Sequence, residues 1–194
     1  MGKYFGTDGV RGVAGADLTC EMAMLIGRGA AAVLTSSTGH KPRILIGKDT
    51  RQSGDMLEAA LTAGLCSVGA DVESLGVVPT PAVAYLVRKY NADAGVVISA
   101  SHNPMEFNGI KIFAGTGYKL PDDVEEEIEA HIDDKCAGIP LATGDGVGRV
   151  TCRIDGIKDY VEHLYESIGG DLSGLNVCCL LYTSPSPRDM RRSR

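Results

Sequence analysis

Tryptophan is absent from this 194-residue chain, and aromatic residues make up only 5% of it. Its core must therefore be packed mainly from aliphatic side chains. No apolar run approaches the ~20 residues that a membrane-spanning helix needs. The opening Met1-Gly2-Lys3-Tyr4 passes straight into Gly-, Asp- and Arg-rich sequence, so we expect no secretory leader and no membrane partner. Six cysteines are present, yet none forms a Cys-x-x-Cys pair and they are too scattered for a zinc site. They read as reduced thiols in a cytoplasmic protein. Basic charge is also scarce, with 19 Lys and Arg against 25 Asp and Glu and a net charge of -6. Residues 188–194 hold four Arg and one Asp, and outside them 15 basic residues face 24 acidic ones, a balance of -9. A body so acidic lacks the basic footprint that nucleic acid requires. Any anionic ligand must be held by a few local cations instead.

Glycine is plentiful: its 25 residues are roughly twice the usual ~7% share. Without a collagen-like period, that excess implies tight turns and close backbone approaches. Hydrophobic residues at 44% and charged residues at 23% are ordinary for a globular protein, and the length suits one domain and the start of another. We place the first domain at residues 1–150, a linker helix and the start of a second domain at 151–178, and a disorder-like tail at 179–194.

The apolar period switches repeatedly between helix and strand. Leu18 to Leu34 reads as a helix capped by Thr19, with Leu25, Ile26, Ala30 and Leu34 on one face. Arg43 to Gly47 is a short strand. Ser53 caps a second helix that buries Met56, Leu57, Ala60, Leu61, Leu65 and Val68 and ends near Gly69. A strand follows at Val72 to Leu75, then a helix opened by Thr80 and Pro81 and reaching Tyr90. Gly95 to Ser99 reads as a strand buried on both faces. Ile110 to Phe113 is a further strand, Pro121 to Cys136 an acidic helix, Val147 to Ile154 a strand and Asp155 to Ile168 an amphipathic helix. Leu175 begins a last strand. This alternation predicts an α/β domain with a mostly parallel sheet, and such sheets bind ligands at the carboxyl ends of their strands.

Four polar, glycine-bearing segments stand out: Phe5-Gly-Thr-Asp-Gly-Val-Arg-Gly12, Gly47-Lys-Asp-Thr-Arg51, Ser99-Ala-Ser-His-Asn-Pro104 and Asn108-Gly-Ile-Lys111. They share hydroxyls, cations and flexible backbone, which is what a phosphate site uses. None matches a nucleotide-cradling fingerprint. The first is equally an ordinary Asp-Gly turn, and Arg11 is equally a partner for a surplus carboxylate. Ser101 directly follows a strand end. Its neighbour His102 should point away from it on an extended segment, and the nucleophile-elbow motif is missing, so a serine hydrolase is disfavoured. A phosphoserine fits better, carrying a charge of about -1.5 to -2 that Arg11, Lys111 or a metal would balance.

Taken together, the segments Phe5 to Gly12, Ile98 to Pro104 and Glu106 to Lys111 resemble the α-phosphohexomutase superfamily, and most closely its bacterial branch acting on glucosamine phosphates. The resemblance runs from about residue 3 to 178. It implies a three-layer α/β/α first domain with a mixed, mostly parallel sheet. It implies reversible exchange of glucosamine 6-phosphate and glucosamine 1-phosphate through a bisphosphate, in amino-sugar nucleotide synthesis for cell-wall precursors. Ser101 would carry the phosphoryl group and, phosphorylated, be one ligand of Mg²⁺. Lys111 would be the general acid/base, helped by a cationic neighbour, and Arg11 would steady the transferring group. His102 would stand beside the site as a hydrogen-bond donor. Thr7, Asp8, Gly9, Asn103, Asp49 and Arg51 are the further phosphate- or substrate-binding candidates, although an Asp–Arg pair is just as often structural.

The family's acidic metal loop, sugar-recognition loop and phosphate-clamping loop do not occur in these residues. On this resemblance the chain lacks domains II–IV and the other Mg²⁺ ligands, and we expect it to be inactive alone. An activating sugar bisphosphate and a homodimer of the full-length form are also implied. Phosphomannomutase or phosphoglucomutase chemistry is the rival within the class, and a non-catalytic phosphosugar-binding domain the rival outside it. The run from Tyr182 to Arg194 has no periodicity and interrupts a strand barely begun, so it reads as a sequence-assembly scar, with a basic interaction tail as its alternative.

Overall fold

The computed structural model describes residues 2–176. Its elements are β1 (Val10–Val13), α1 (Cys20–Thr38), β2 (Arg43–Lys48), α2 (Ser53–Ser67), β3 (Asp71–Val77), α3 (Thr80–Lys89), β4 (Ala94–Ile98), β5 (Phe107–Ala114), α4 (Asp122–Asp133), β6 (Val150–Cys152) and α5 (Gly156–Ile168). One six-stranded sheet runs in the order β1-β5-β4-β2-β3-β6. β2 pairs parallel with β3 and β4, and β3 with β6, while β5 lies antiparallel to both β1 and β4. The expected mixed, mostly parallel sheet is what forms.

Helices cover both faces. On one face α1, α2 and α4 pack over Ile44, Ile46, Val96, Ile98, Ile110 and Ile112. On the other, Val83, Leu86 and Val87 of α3 cover Leu45 and Val97. Leu57, Leu61 and Leu65 of α2 are fully buried, and removing each from water contributes about 2 kcal/mol. The compact unit extends to Glu162, and the described residues from His163 belong to a second unit. Residues 151–162 are held to the first unit by β6 pairing with β3 and by the buried ring of Tyr160 beside Tyr85.

Thr19 caps α1 as expected, its hydroxyl accepting the Met22 N–H, and Gly39 ends that helix at φ 68°. Other local readings are corrected. Ser53 is the first residue of α2 rather than its cap, because its hydroxyl instead accepts from the buried Asn108 amide at 2.9 Å. Pro79, not Thr80, flanks the start of α3. Met56 is exposed, since it lies on the side of α2 that faces away from the core and lines the groove described below. The strand at Val147–Ile154 shrinks to three exposed edge residues preceded by a 3₁₀ turn at Gly144–Gly146. β1 has no counterpart in the periodicity, because glycine interrupts it. The strand expected from Leu175 falls largely outside the described residues, as do residues 177–194.

Candidate active site

The site forms where β1 and β5 leave the α3 face of the sheet uncovered. β-strand alternation sends Val10 and Ile110 into the core and turns Arg11 and Lys111 to the opposite face. Arg11 pairs in register with Gly109, and the Ser99 N–H donates to the Gly109 carbonyl at 2.8 Å. Arg11, Gly109 and Ser99 therefore form one row across three strands, with Lys111 two residues along. A side chain at Gly109 would collide with both the Ser99 carbonyl and the Arg11 stem. Glycine there leaves room for the Arg11 stem over β5.

Asp8 joins the cations. Its carboxylate accepts from Arg11 Nη2 at 2.9 Å and lies 3.6 Å from Lys111 Nζ. Arg11 Nε is buried without a hydrogen-bond partner among the described residues. An orphaned guanidinium N–H is costly unless something accepts from it. Beside this group is a cavity of about 280 Å³ lined by Thr7, Asp8, Gly9, Thr80, Lys111 and Lys119, among others. Burial opposes the charge of Lys119, but the hydrogen bond to Glu125, the larger influence, raises its pKa, and Asp122 adds to this.

Ser101 sits in the turn after β4 and is exposed. Its φ of 58° is left-handed, a conformation that costs a non-glycine residue about 1–3 kcal/mol. The buried Ser99 hydroxyl accepts the Ser101 N–H at 3.1 Å. The turn also corrects the expected splay of neighbours: Ser101 Oγ lies 3.3 Å from His102 Nδ1. Positive φ, rather than extended backbone, puts the two side chains on one side.

Arg51 takes a different place from Arg11. Its Nε and backbone N–H donate to Asp49, each at 3.0 Å. Its Nη1 donates to the Pro104 and Phe107 carbonyls, and its Nη2 to those of Ser101 and Asn103, at 2.6–3.1 Å. Asp49, Arg51, Ser101 and Asn103 line one groove of about 1050 Å³ with Met56 and Met105. The candidate residues thus gather into two clusters, one around Asp8 and one around Arg51, linked through the Ser99–Gly109–Arg11 row. Among the described residues no three His, Cys, Asp or Glu side chains converge to hold a metal. These residues do not by themselves fit a Mg²⁺ site.

Two contributors were given no role from the sequence, although Asn108 opens one of the four segments. Asn108 is fully buried, ties β5 to α2 through Ser53 and accepts the Gly109 N–H. Glu129 of α4 accepts the backbone N–H groups of Lys3, Tyr4 and Phe5 at 2.6–2.8 Å, which fixes the approach to the Asp8 turn. An asparagine in a strand otherwise rich in apolar residues was the available signal for the first.

A domain whose serine stands at a strand end, with Arg11 and Lys111 on the adjoining strands, is the pattern of the sugar-phosphate mutases. Residues 2–137 match the phosphoglucomutase/phosphomannomutase α/β/α domain I model, and the chain belongs to that family. Phosphoglucosamine mutases of Acetivibrio thermocellus and Clostridium acetobutylicum are 60% and 57% identical to it over 177 residues, covering 91% of this chain. The chain spans 39% of the length of those relatives. A phosphoglucomutase/phosphomannomutase family protein from Burkholderia thailandensis superposes with a TM-score of 0.68 at 26% identity, over 84% of this chain and 35% of its own.

Proposed function

We propose that the chain is the phosphoserine-bearing domain of a phosphoglucosamine mutase, interconverting glucosamine 6-phosphate and glucosamine 1-phosphate. The observation that carries this reading is the exposed, left-handed Ser101 in the turn after β4, beside strands presenting Arg11 and Lys111. Phosphorylated Ser101 gives its phosphoryl group to the free hydroxyl of the sugar phosphate. The serine Oγ–P bond breaks as the sugar O–P bond forms, and the hydroxyl proton, taken by Lys111, passes on to the leaving Ser101 Oγ. The bisphosphate then reorients and its other O–P bond breaks as that phosphoryl group returns to Ser101 Oγ, whose proton passes to the released sugar oxygen. The orphaned Nε–H of Arg11 is suited to donate to a phosphoryl oxygen, and positioning with charge neutralisation supplies most of the barrier reduction in such transfers.

The described residues do not by themselves hold a metal; phosphorylated Ser101 would be one ligand of a Mg²⁺ ion, which would supply charge neutralisation. The 60% and 57% identical relatives support glucosamine over glucose or mannose phosphates. Four described cysteines are free, which supports a reducing, cytoplasmic setting. No helix among the described residues is long and apolar enough to cross a membrane. On this reading the 194-residue chain turns over little or no substrate alone, since substrate closure needs further domains. The test is Ser101→Ala in the protein produced at the full length of its relatives. Turnover of glucosamine 6-phosphate and covalent labelling with phosphate should both vanish, and normal turnover would end the proposal. Preference for glucose or mannose phosphates would move the protein to another branch of the family.

A further inference from the structure

We infer that Arg51 is a positioning residue that holds the serine loop in its reactive shape and does not bind the substrate phosphate. The inference rests on the phosphoserine reading of Ser101. A guanidinium has five N–H groups. In Arg51 each one donates to a protein oxygen: one to Asp49 and four to the carbonyls of Ser101, Asn103, Pro104 and Phe107. The Arg51 side chain is 11% exposed, and Asp49 grips it from behind. A sugar phosphate could bind it only by displacing a loop carbonyl.

The four carbonyls all belong to the segment 101–107, which otherwise has few internal ties. Asn103 N–H donates to Ala100 and Phe107 N–H to Pro104. The left-handed Ser101 must be held by its surroundings, and Arg51 is the group that bonds the Ser101 carbonyl itself. Lysine keeps the charge but offers three donors from a single nitrogen, which cannot span four carbonyls. Asp49 completes the device by fixing the plane of the guanidinium. Arg11, with an unpartnered Nε, is free to serve the reacting group, and Arg51 is not.

Hydrogen exchange reads the loop directly in the 194-residue chain, whatever the protein catalyses. Arg51→Lys should speed exchange of the Ser101, Asn103 and Phe107 amides about tenfold while β2 and β4 keep their protection. Unchanged exchange would overturn the inference. In the full-length protein the same variant should lower kcat about 100-fold and leave KM for the sugar phosphate within about threefold. Asp49→Asn, which keeps the guanidinium, should shift kcat the same way by about tenfold, and it carries the test if Arg51→Lys does not fold. A raised KM at unchanged kcat would instead make Arg51 a substrate ligand, and full activity with lysine would overturn the kinetic half of the inference. Turnover retained by Ser101→Ala removes the phosphoserine reading and the kinetic half of the inference, whereas unchanged exchange removes the inference alone.

Discussion

Asp8 is the residue on which the cationic cluster turns, since it bonds Arg11 and lies near Lys111. Its position depends on the next residue. Gly9 has φ 82°, and a Cβ there would lie 2.2 Å from the Ile110 carbonyl oxygen. Replacing it therefore combines left-handed strain with a collision against β5, one residue from Lys111. Gly9→Ala should cost about 2–3 kcal/mol, measured as a lowered denaturation midpoint at unchanged slope. An unchanged midpoint would mean that the Asp8 turn is not pressed onto β5. Ser101 is the opposite case at the same scale. It adopts positive φ with a side chain present, so its strain is offset by the Ser99 hydroxyl and the Arg51 guanidinium.

Among elements, the tightest packing is between α1 and α2, and glycines make it. A Cβ at Gly64 would lie 2.2 Å from the Met24 carbonyl oxygen, and one at Gly27 would lie 2.5 Å from that of Leu61. Each helix thus rests on the other's backbone. Gly64→Ala should force them apart and destabilise the fold by about 2–3 kcal/mol, despite alanine's better helix propensity. Gly138, with nothing within 4 Å of a Cβ, is the control and should change stability by less than about 0.5 kcal/mol. A Gly64→Ala protein as stable as the control would refute the packing argument. Elements of this kind also show what the sequence makes legible. α1 could be read because Thr19 and Gly39 punctuate it and its apolar stripe is continuous. β1 could not, because Gly12 breaks the alternation and its pairing with β5 lies about 100 residues downstream. The serine loop was recognisable from its residues, and Arg11 and Lys111 from their companions. A structural Asp49–Arg51 pair was open from the sequence and is present, but the four carbonyl partners of Arg51 were not legible, since they are backbone groups some 50 residues away. Side-chain type records no such partner. Met56 looked apolar enough for the core, and only the orientation of α2 puts it in the groove.

At the scale of the whole molecule, an acidic protein of net charge -6 keeps its cations for a few positions and uses several carboxylates as internal ties. Glu129 is the clearest. Only 8% exposed, it holds the N–H groups of residues 3–5 and joins the chain's first strand-ward segment to α4. Burial alone would raise its pKa, but the backbone N–H groups of Phe5, Lys3 and Tyr4 outweigh it and hold the carboxyl below its ordinary value of 4.5. Asp133, one helical turn on, is likewise lowered, by Lys3 first and then Tyr4. A carboxyl whose pKa is lower folded than unfolded binds protons more readily in the unfolded chain. Its contribution is therefore complete above about pH 4.5 and is lost as pH falls through the folded value. Denaturation midpoints of the wild type should hold steady down to about pH 5 and then drop. Glu129→Gln should be less stable by about 2 kcal/mol at pH 7, because its amide cannot accept all three N–H groups. Its midpoint should also fall less steeply below pH 5, so that the two proteins converge in acid. Added salt should leave this difference standing, since the Glu129 contacts are buried, while weakening the exposed Lys3–Asp133 pair. Two parallel profiles, offset equally at every pH, would show that the carboxylate charge is not what secures the N-terminal segment.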